Sequence, residues 1–255
     1  MFSEERQQEI LDLLKKQGRV LVKELAEHFG VSVDSIRRDL AFLEEKGLLK
    51  RTHGGAIPLA PVRQLPLSPE FRYADPKPWE EAIARTAASH VKADMAVFIM
   101  GGRLPVLMLP HLPEDVPLTV VTNSLTVALS LRDRKQTDIY LVGGRVKPSG
   151  NITDVLAMEQ AGKFALDICF GTGGGFSERG VSTATPEVAA FGRKIAEQAR
   201  RNILLIPHDR FGADAFSHCV DLSMIDLVIT DEQTPAEAIA RIRERGVEVV
   251  VAESL

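Results

Sequence analysis

The chain has 255 residues, 45% of them hydrophobic and 26% charged, and a net charge of −4 at pH 7. That is ordinary globular composition, long enough for a sizeable core in one large domain or two unequal ones, and the slight acidic excess gives no bulk signal of a nucleic-acid binder. Two cysteines, Cys169 and Cys219, suggest no disulfide framework; the opening residues carry no apolar signal core, and no apolar run reaches the ~18 residues of a membrane span, so a cytoplasmic location without membrane contact is expected.

Three parts follow one another along the chain. Residues 1–57 read as short helices and are neutral, with ten Lys/Arg against ten Asp/Glu. Residues 58–78 hold Pro58, Pro61, Pro66, Pro69, Pro76 and Pro78, a density that favours an extended, semi-rigid linker. Residues 58–255, with 21 Lys/Arg against 25 Asp/Glu, carry the whole acidic excess, and the third part is residues 79–255.

In the first part a helix spans Glu4 to Gln17, with Ile10, Leu11 and Leu14 as its buried stripe and Gly18 as its stop. A second runs from Val22 to Phe29, with Leu25, Ala26 and Phe29 inward, and Gly30 supplies a tight turn. A third begins at Ser32, whose hydroxyl suits an N-cap. Ile36, Leu40 and Leu43 give it a core face, and the opposite face presents Asp34, Ser35, Arg38 and Ala41, with Arg37 at its edge. Gly47 ends it. Residues 48–56 then read as a two-stranded wing bent at Gly54-Gly55, with Lys50, Arg51 and His53 placed to meet phosphates. An Arg-Arg-Asp triplet alone is commonly a solvated helix face, its arginines paired with Asp34, Asp39 or Glu44. The ordered set of two helices, a Gly turn, a Ser-capped helix with paired arginines and a basic wing points to double-stranded DNA. The candidate DNA contacts are Ser32, Ser35, Arg37, Arg38, Lys50, Arg51 and His53; each arginine can bond guanine bidentately or clamp a phosphate.

In the third part Trp79 is placed to anchor the first helix. Apolar runs then alternate with helical stretches: 96–100, 118–122, 139–142, 168–170, 203–206, 227–230 and 247–251. Short continuous apolar runs between helices predict an α/β domain with a mostly parallel sheet covered on both faces. Its candidate pocket is a ring of loops at the carboxyl ends of the strands: 100–103, 122–124, 143–145, 171–175, 180–183 and 208–212. Within them Gly101, Gly102, Arg103, Asn123, Ser124, Gly144, Arg145, Gly173, Thr183 and Arg210 are the candidate ligand contacts.

Arg6, Ile10 and Leu14, the run Ser32-Val33-Asp34-Ser35-Ile36-Arg37-Arg38-Asp39-Leu40, then Leu43, Gly47 and Arg51-Thr52-His53-Gly54-Gly55-Ala56 resemble the N-terminal signature of the DeoR family of bacterial regulators. The resemblance implies a winged helix-turn-helix followed by a Rossmann-like sensor domain related to sugar-phosphate isomerases and CoA transferases. It also implies oligomers, dimer or tetramer, and operators released by a sugar or sugar-phosphate effector. Asn123-Ser124, Gly143-Gly144, Gly180 with Ser182-Thr183, and Phe211-Gly212 match the sensor pattern. The first loop departs: where the family reads Asp-Ser-Gly-Thr-Thr, this chain has Met100-Gly101-Gly102-Arg103-Leu104. Gly173 stands where an acidic residue is frequent, Arg210 replaces a lysine, and Pro207-His208-Asp209 also departs. Either Arg103 supplies a new anion clamp, or the phosphate site has decayed and the ligand is unphosphorylated or absent.

Catalysis is not expected: Asp154, Glu187, His208 and Asp209 lie near glycine loops but form no catalytic motif. No metal or cofactor is expected either, since His208, His218 and Cys219 have no metal-ligand spacing, and Phe191, Phe211 and Phe216 read as core. Two alternatives remain: a constitutive DNA binder whose second domain only oligomerises, and a sugar-phosphate isomerase-type enzyme.

Overall fold

The computed structural model describes residues 3–17, 19–46, 48–52, 54–58 and 75–254. Gly18, Gly47, His53 and most of the proline-rich segment therefore lie outside the described residues. The chain divides into two compact units, with the break after Pro61.

The first unit is built from α1 (Ser3–Gln17), β1 (Val20–Leu21), α2 (Val22–Phe29), α3 (Val33–Glu45), β2 (Leu49–Thr52) and β3 (Gly55–Pro58). The helical periodicity finds its core: Ile10, Leu14, Leu25, Ile36, Leu40 and Leu43 are all buried together. Gly30 closes α2 in the left-handed conformation, at φ 62°. Ser32 caps α3, its Oγ accepting the Ser35 N–H at 3.2 Å. The wing has one strand more than its sequence suggests. The order is β1-β3-β2, antiparallel, with Val20 opposite Ala56 and Leu49 opposite Pro58. Two residues leave too little periodicity for β1 to be read alone. Its approach to β3 requires Gly55, where any Cβ would overlap the Val20 carbonyl.

The second unit contains α4 (Pro78–Ala88), β4 (Ala96–Ile99), α5 (Arg103–Leu107), β5 (Leu118–Thr122), α6 (Leu125–Leu131), β6 (Thr137–Leu141), α7 (Val155–Ala161) and β7 (Leu166–Gly171). It continues with β8 (Gly175–Ser177), β9 (Gly180–Thr183), α8 (Pro186–Ala196), β10 (Ala199–Leu205), β11 (Ser217–Asp221), β12 (Leu227–Asp231), α9 (Ala236–Glu244) and β13 (Glu248–Ala252). Among the described residues one sheet has seven strands in the order β13-β12-β10-β7-β4-β5-β6, every pair parallel. Alternation along the strands fills two layers. Val97, Ile99, Ile168, Phe170, Ile203 and Leu205 pack with Ile83 of α4. Phe98 and Cys169 face the other way, onto Phe191 and Ile195 of α8. The order reverses between β4 and β7, so the crevice of this sheet opens at their carboxyl ends.

A second sheet, β11-β9-β8, is antiparallel and corrects the sequence reading at one place. Residues 180–183 are a strand with every residue buried, not an open loop. Their short Gly-Val-Ser-Thr run lacks an apolar pattern because its polar side chains are satisfied locally: Ser182 Oγ accepts the Ala215 N–H at 2.7 Å. Phe191 and Phe211 are core, but Phe216 is 55% exposed, against the expectation that it would be core.

Candidate functional site

On α3, of the acids expected beside the two arginines, Asp34 meets both and Asp39 turns away. Asp39 is buried and turned inward, with Arg6 Nε at 2.6 Å and Gln7 Nε2 at 2.9 Å. It is therefore withdrawn from the outer face. Arg37 pairs only loosely with Asp34, at 3.2 Å between two well exposed side chains. Arg38 is exposed and its Nε reaches the Asp34 carbonyl at 3.4 Å. Ser32 and Ser35 share a hydroxyl contact of 2.9 Å at the start of the helix, so part of their hydrogen-bonding capacity is used by the cap. Lys50 and Arg51 are exposed on β2, and Glu44 steadies the latter by accepting its N–H at 2.8 Å. The resulting surface places Arg37 and Arg38 on one exposed helix face, with a basic strand in the same unit.

In the second unit the structure brings several pocket candidates together and separates others. Asn123 is buried; its Oδ1 accepts the Gly101 N–H at 3.1 Å and its Nδ2 donates to Ile152 O at 3.1 Å. Ser124 is buried and caps α6. Gly101 and Gly102 run through the crevice at the ends of β4 and β7. A Cβ on Gly101 would overlap the Asn151 amide, and one on Gly102 would lie 2.7 Å from Thr172 Cγ2. Asn151 also donates to Gly101 O at 2.9 Å, while its Oδ1 is buried with no hydrogen-bond partner among the described residues. Gly144 and Arg145 belong to a turn closed by Asp154, which accepts the Arg145 N–H at 2.8 Å. Gly173 packs against Val181 and Ser182, and Thr183 Oγ1 donates to Thr185 O at 3.2 Å. Arg210 reaches Gly174 O at 3.2 Å and Asp209 at 3.5 Å.

Arg103 is engaged within the protein. Its guanidinium forms a forked pair with Glu80, Nε to Oε1 and Nη2 to Oε2 at 2.6 Å, and Nη2 also donates to Asp75 O at 3.1 Å. Glu80 is 5% exposed and accepts the Lys77 N–H at 2.9 Å. Burial alone would raise its carboxyl pKa; the bonds from Arg103 and Lys77 outweigh that and leave it below the usual glutamate range. As an open anion clamp, Arg103 does not fit this geometry without displacing Glu80.

The candidate catalytic groups have structural partners. Asp154 caps α7, accepting the Ala157 N–H at 3.1 Å; the Arg145 and Ala157 N–H groups hold its pKa below the ordinary value. Glu187 takes Lys147 at 3.2 Å and the Thr153 hydroxyl at 3.2 Å. His208 is held by fully buried Asp231, with Nδ1 to Oδ1 at 2.8 Å and the His208 N–H to Oδ2 at 2.9 Å. Cys169 and Cys219 are buried thiols pushed up to about 12, chiefly by desolvation, so both are protonated at neutral pH. His208, His218 and Cys219 do not converge: His218 bonds Asp221 at 2.9 Å, Cys219 donates to Ala189 O at 3.4 Å, and no metal-holding cluster occurs among the described residues.

Sequence reasoning missed Glu80, Asn151 and Asp231, and reached Thr172 only as part of the 171–175 loop. Glu80 had a legible signal, since Pro78 followed two residues later by Glu is the pattern of a capped helix start. Asn151 and Asp231 had none, because their partners are distant in sequence.

Comparison with known proteins agrees with both units. A family model described as the DeoR-like helix-turn-helix domain matches residues 6–61, and one described as the DeoR C terminal sensor domain matches residues 80–232. The HTH-type transcriptional repressor GlcR of Bacillus subtilis (strain 168) is 33% identical, over 99% of this chain and 98% of its own. The glycerol-3-phosphate regulon repressor of Escherichia coli (strain K12) is 31% identical, over 98% and 99%. Among solved structures, ribose 5-phosphate isomerase A from Methanocaldococcus jannaschii aligns with a TM-score of 0.38 and 12% identity, over 51% of this chain and 52% of that one. No helix among the described residues is long and apolar enough to cross a membrane. With an exposed Arg37-Arg38 face on a Ser-capped helix, a basic wing, a parallel α/β unit later in the sequence and both family domains matched in order, the chain belongs to the DeoR family of DNA-binding transcriptional regulators.

Proposed function

We propose that this regulator represses carbohydrate genes by binding a two-fold operator as a homodimer or homotetramer, and that a small acidic sugar effector releases it. The observation that carries the DNA reading is the inward turn of Asp39 to Arg6, which leaves Arg37 and Arg38 on the solvent face of α3 with Asp34 beside them. Ser35, Arg37 and Arg38 then read base edges or adjacent phosphates in the major groove, while Ser32, Lys50, Arg51 and His53 hold the backbone. The crevice at the β4–β7 reversal supports an effector site formed by Gly101, Gly102, Asn123 and Ser124, with Gly144, Arg145, Gly173 and Arg210 in the surrounding turns and Thr183 at the end of β9. The domain limits that follow are 1–57, 58–78 and 79–255, with assembly through the last. An effector that prefers a different spacing of the DNA-binding units lowers operator affinity in proportion to that preference.

One observation favours a second reading. Arg103 is already paired with Glu80, as it would be in a regulator whose ligand is unphosphorylated or absent. The test is binding of the full chain to genomic fragments at fixed salt, followed by a panel of sugar phosphates, free sugars and sugar acids. Retention of discrete fragments with two-fold half-sites, released by a phosphorylated or acidic sugar, is expected. Equal retention of all fragments would overturn operator recognition; release by free sugars alone would favour the second reading.

A further inference from the structure

We propose that Glu80 and an anionic group of the effector compete for Arg103, and that loss of Arg103 frees the segment through which the sensor unit joins the linker. The inference rests on the effector site proposed above and adds to it a ligand charge and a route out of the pocket.

Arg103 opens α5 directly after the crevice glycines, and its side chain is 23% exposed. A guanidinium fork binds a ligand carboxylate or phosphate through the same two N–H directions it offers to glutamate. Glu80 fills that fork from inside the protein. An anion arriving at Arg103 therefore has to replace a carboxylate, and binding is linked to release of Glu80.

Glu80 belongs to a short stretch fastened to three strand ends. Arg103, after β4, holds Glu80 and the Asp75 carbonyl. Glu80 in turn accepts the Lys77 N–H. Trp79 stacks edge-on against His208, after β10, with ring centres 5.1 Å apart, and Lys77 Nζ lies 5.4 Å from the centre of the Trp79 ring. Asp231, at the end of β12, holds His208. Asp75 and Lys77 lie in the last residues of the proline-rich segment. Arg103, beside the crevice glycines, is thus also one of the residues that fix where the linker ends. Two arrangements of one ion pair, with and without Glu80, give the ligand a state to select.

Trp79 is the chain's single tryptophan, so its emission reports on this stretch. The full-length protein is titrated with glycerol 3-phosphate and with inorganic phosphate at matched ionic strength, as wild type, E80Q, R103K and R103Q. Trp79 emission and release of operator DNA are read in parallel, with thermal melts as a fold control. Removing the internal competitor in E80Q is expected to move the emission midpoint to about tenfold lower probe concentration. R103K is expected to weaken the response and R103Q to abolish it. The E80Q gain is not a result misfolding produces. The proposal is overturned if E80Q responds no more tightly than wild type, including no response in either, or if R103Q titrates like wild type. Operator release separates the two readings. Release of operator equally from wild type, E80Q and R103Q leaves the effector site standing and removes the competition. A tighter E80Q response with operator still bound keeps the competition and removes the effector reading.

Discussion

Asp34 and Asp39 flank the same pair of arginines and act on them in opposite ways. Asp39 is drawn into the core of the first unit by Arg6, while Asp34 stays outside and bonds Arg37 across solvent. An exposed pair of that kind contributes little and yields readily to a phosphate or base. Substitution Arg38→Ala is expected to cost roughly 1–3 kcal/mol at one base-pair position if the side chain reads guanine. Binding to a set of single-base operator variants checks this; an equal loss on every variant marks a phosphate contact instead. Glu80 carries a pH signature. Its pKa is lowered in the folded chain by Arg103 and the Lys77 N–H against the cost of burial, so its contribution to stability is present above the usual glutamate pKa. That contribution is lost as pH falls through the folded value. Wild type is therefore expected to be more stable than E80Q at neutral pH, the difference closing as acid protonates Glu80. Paired denaturant titrations from neutral to acidic pH test this, and a gap that persists unchanged in acid would refute it.

At the scale of elements, α3 is fixed to α1 by the Arg6–Asp39 pair as well as by Ile10, Leu14, Ile36 and Leu40. Replacing Asp39 by Ala leaves Arg6 without its buried counter-charge and is expected to destabilise this unit by about 3 kcal/mol. Chemical denaturation followed by helical signal measures it; a change below about 1 kcal/mol would show that the pair acts as a surface bridge. This pair also shows what sequence makes legible. Arg6 and Asp39 could be quoted as part of a family signature, yet nothing local says that they touch. The helices of the first unit were readable from their helical period and the seven parallel strands from their short apolar runs: Val22–Phe29 and Leu118–Thr122 agree with their sequence limits. The β8, β9 and β11 sheet was not, because Gly175–Ser177 and Gly180–Thr183 are too short to show alternation. The same limit applied to the pocket. Its glycine turns stood out, but the Glu80 side chain that occupies Arg103 comes from an earlier helix.

For the whole molecule, two compact units predict two unfolding steps. A unit of about 60 residues is marginal by itself because it buries a smaller share of its surface, so the first unit is expected to melt at the lower temperature. Operator DNA should raise that step alone, and an effector the upper step alone, each by binding only the folded form of its unit. Scanning calorimetry with and without each ligand distinguishes this from one cooperative transition.

The reversal of strand order at β4 and β7 also orders events on the ribosome. The first unit depends on contacts within residues 3–58 and is complete early in synthesis. β4, β5 and β6 come next, but β4 keeps an open edge until Leu166–Gly171 has emerged to pair with it. An uncovered inner strand of this kind is apolar on both faces and offers unpaired N–H and C=O groups to other chains. A product cut short before residue 166 thus carries a complete first unit on a half-sheet with an open edge, and is expected to aggregate. Truncation inside the second unit is therefore expected to cost solubility before it costs the fold of the first.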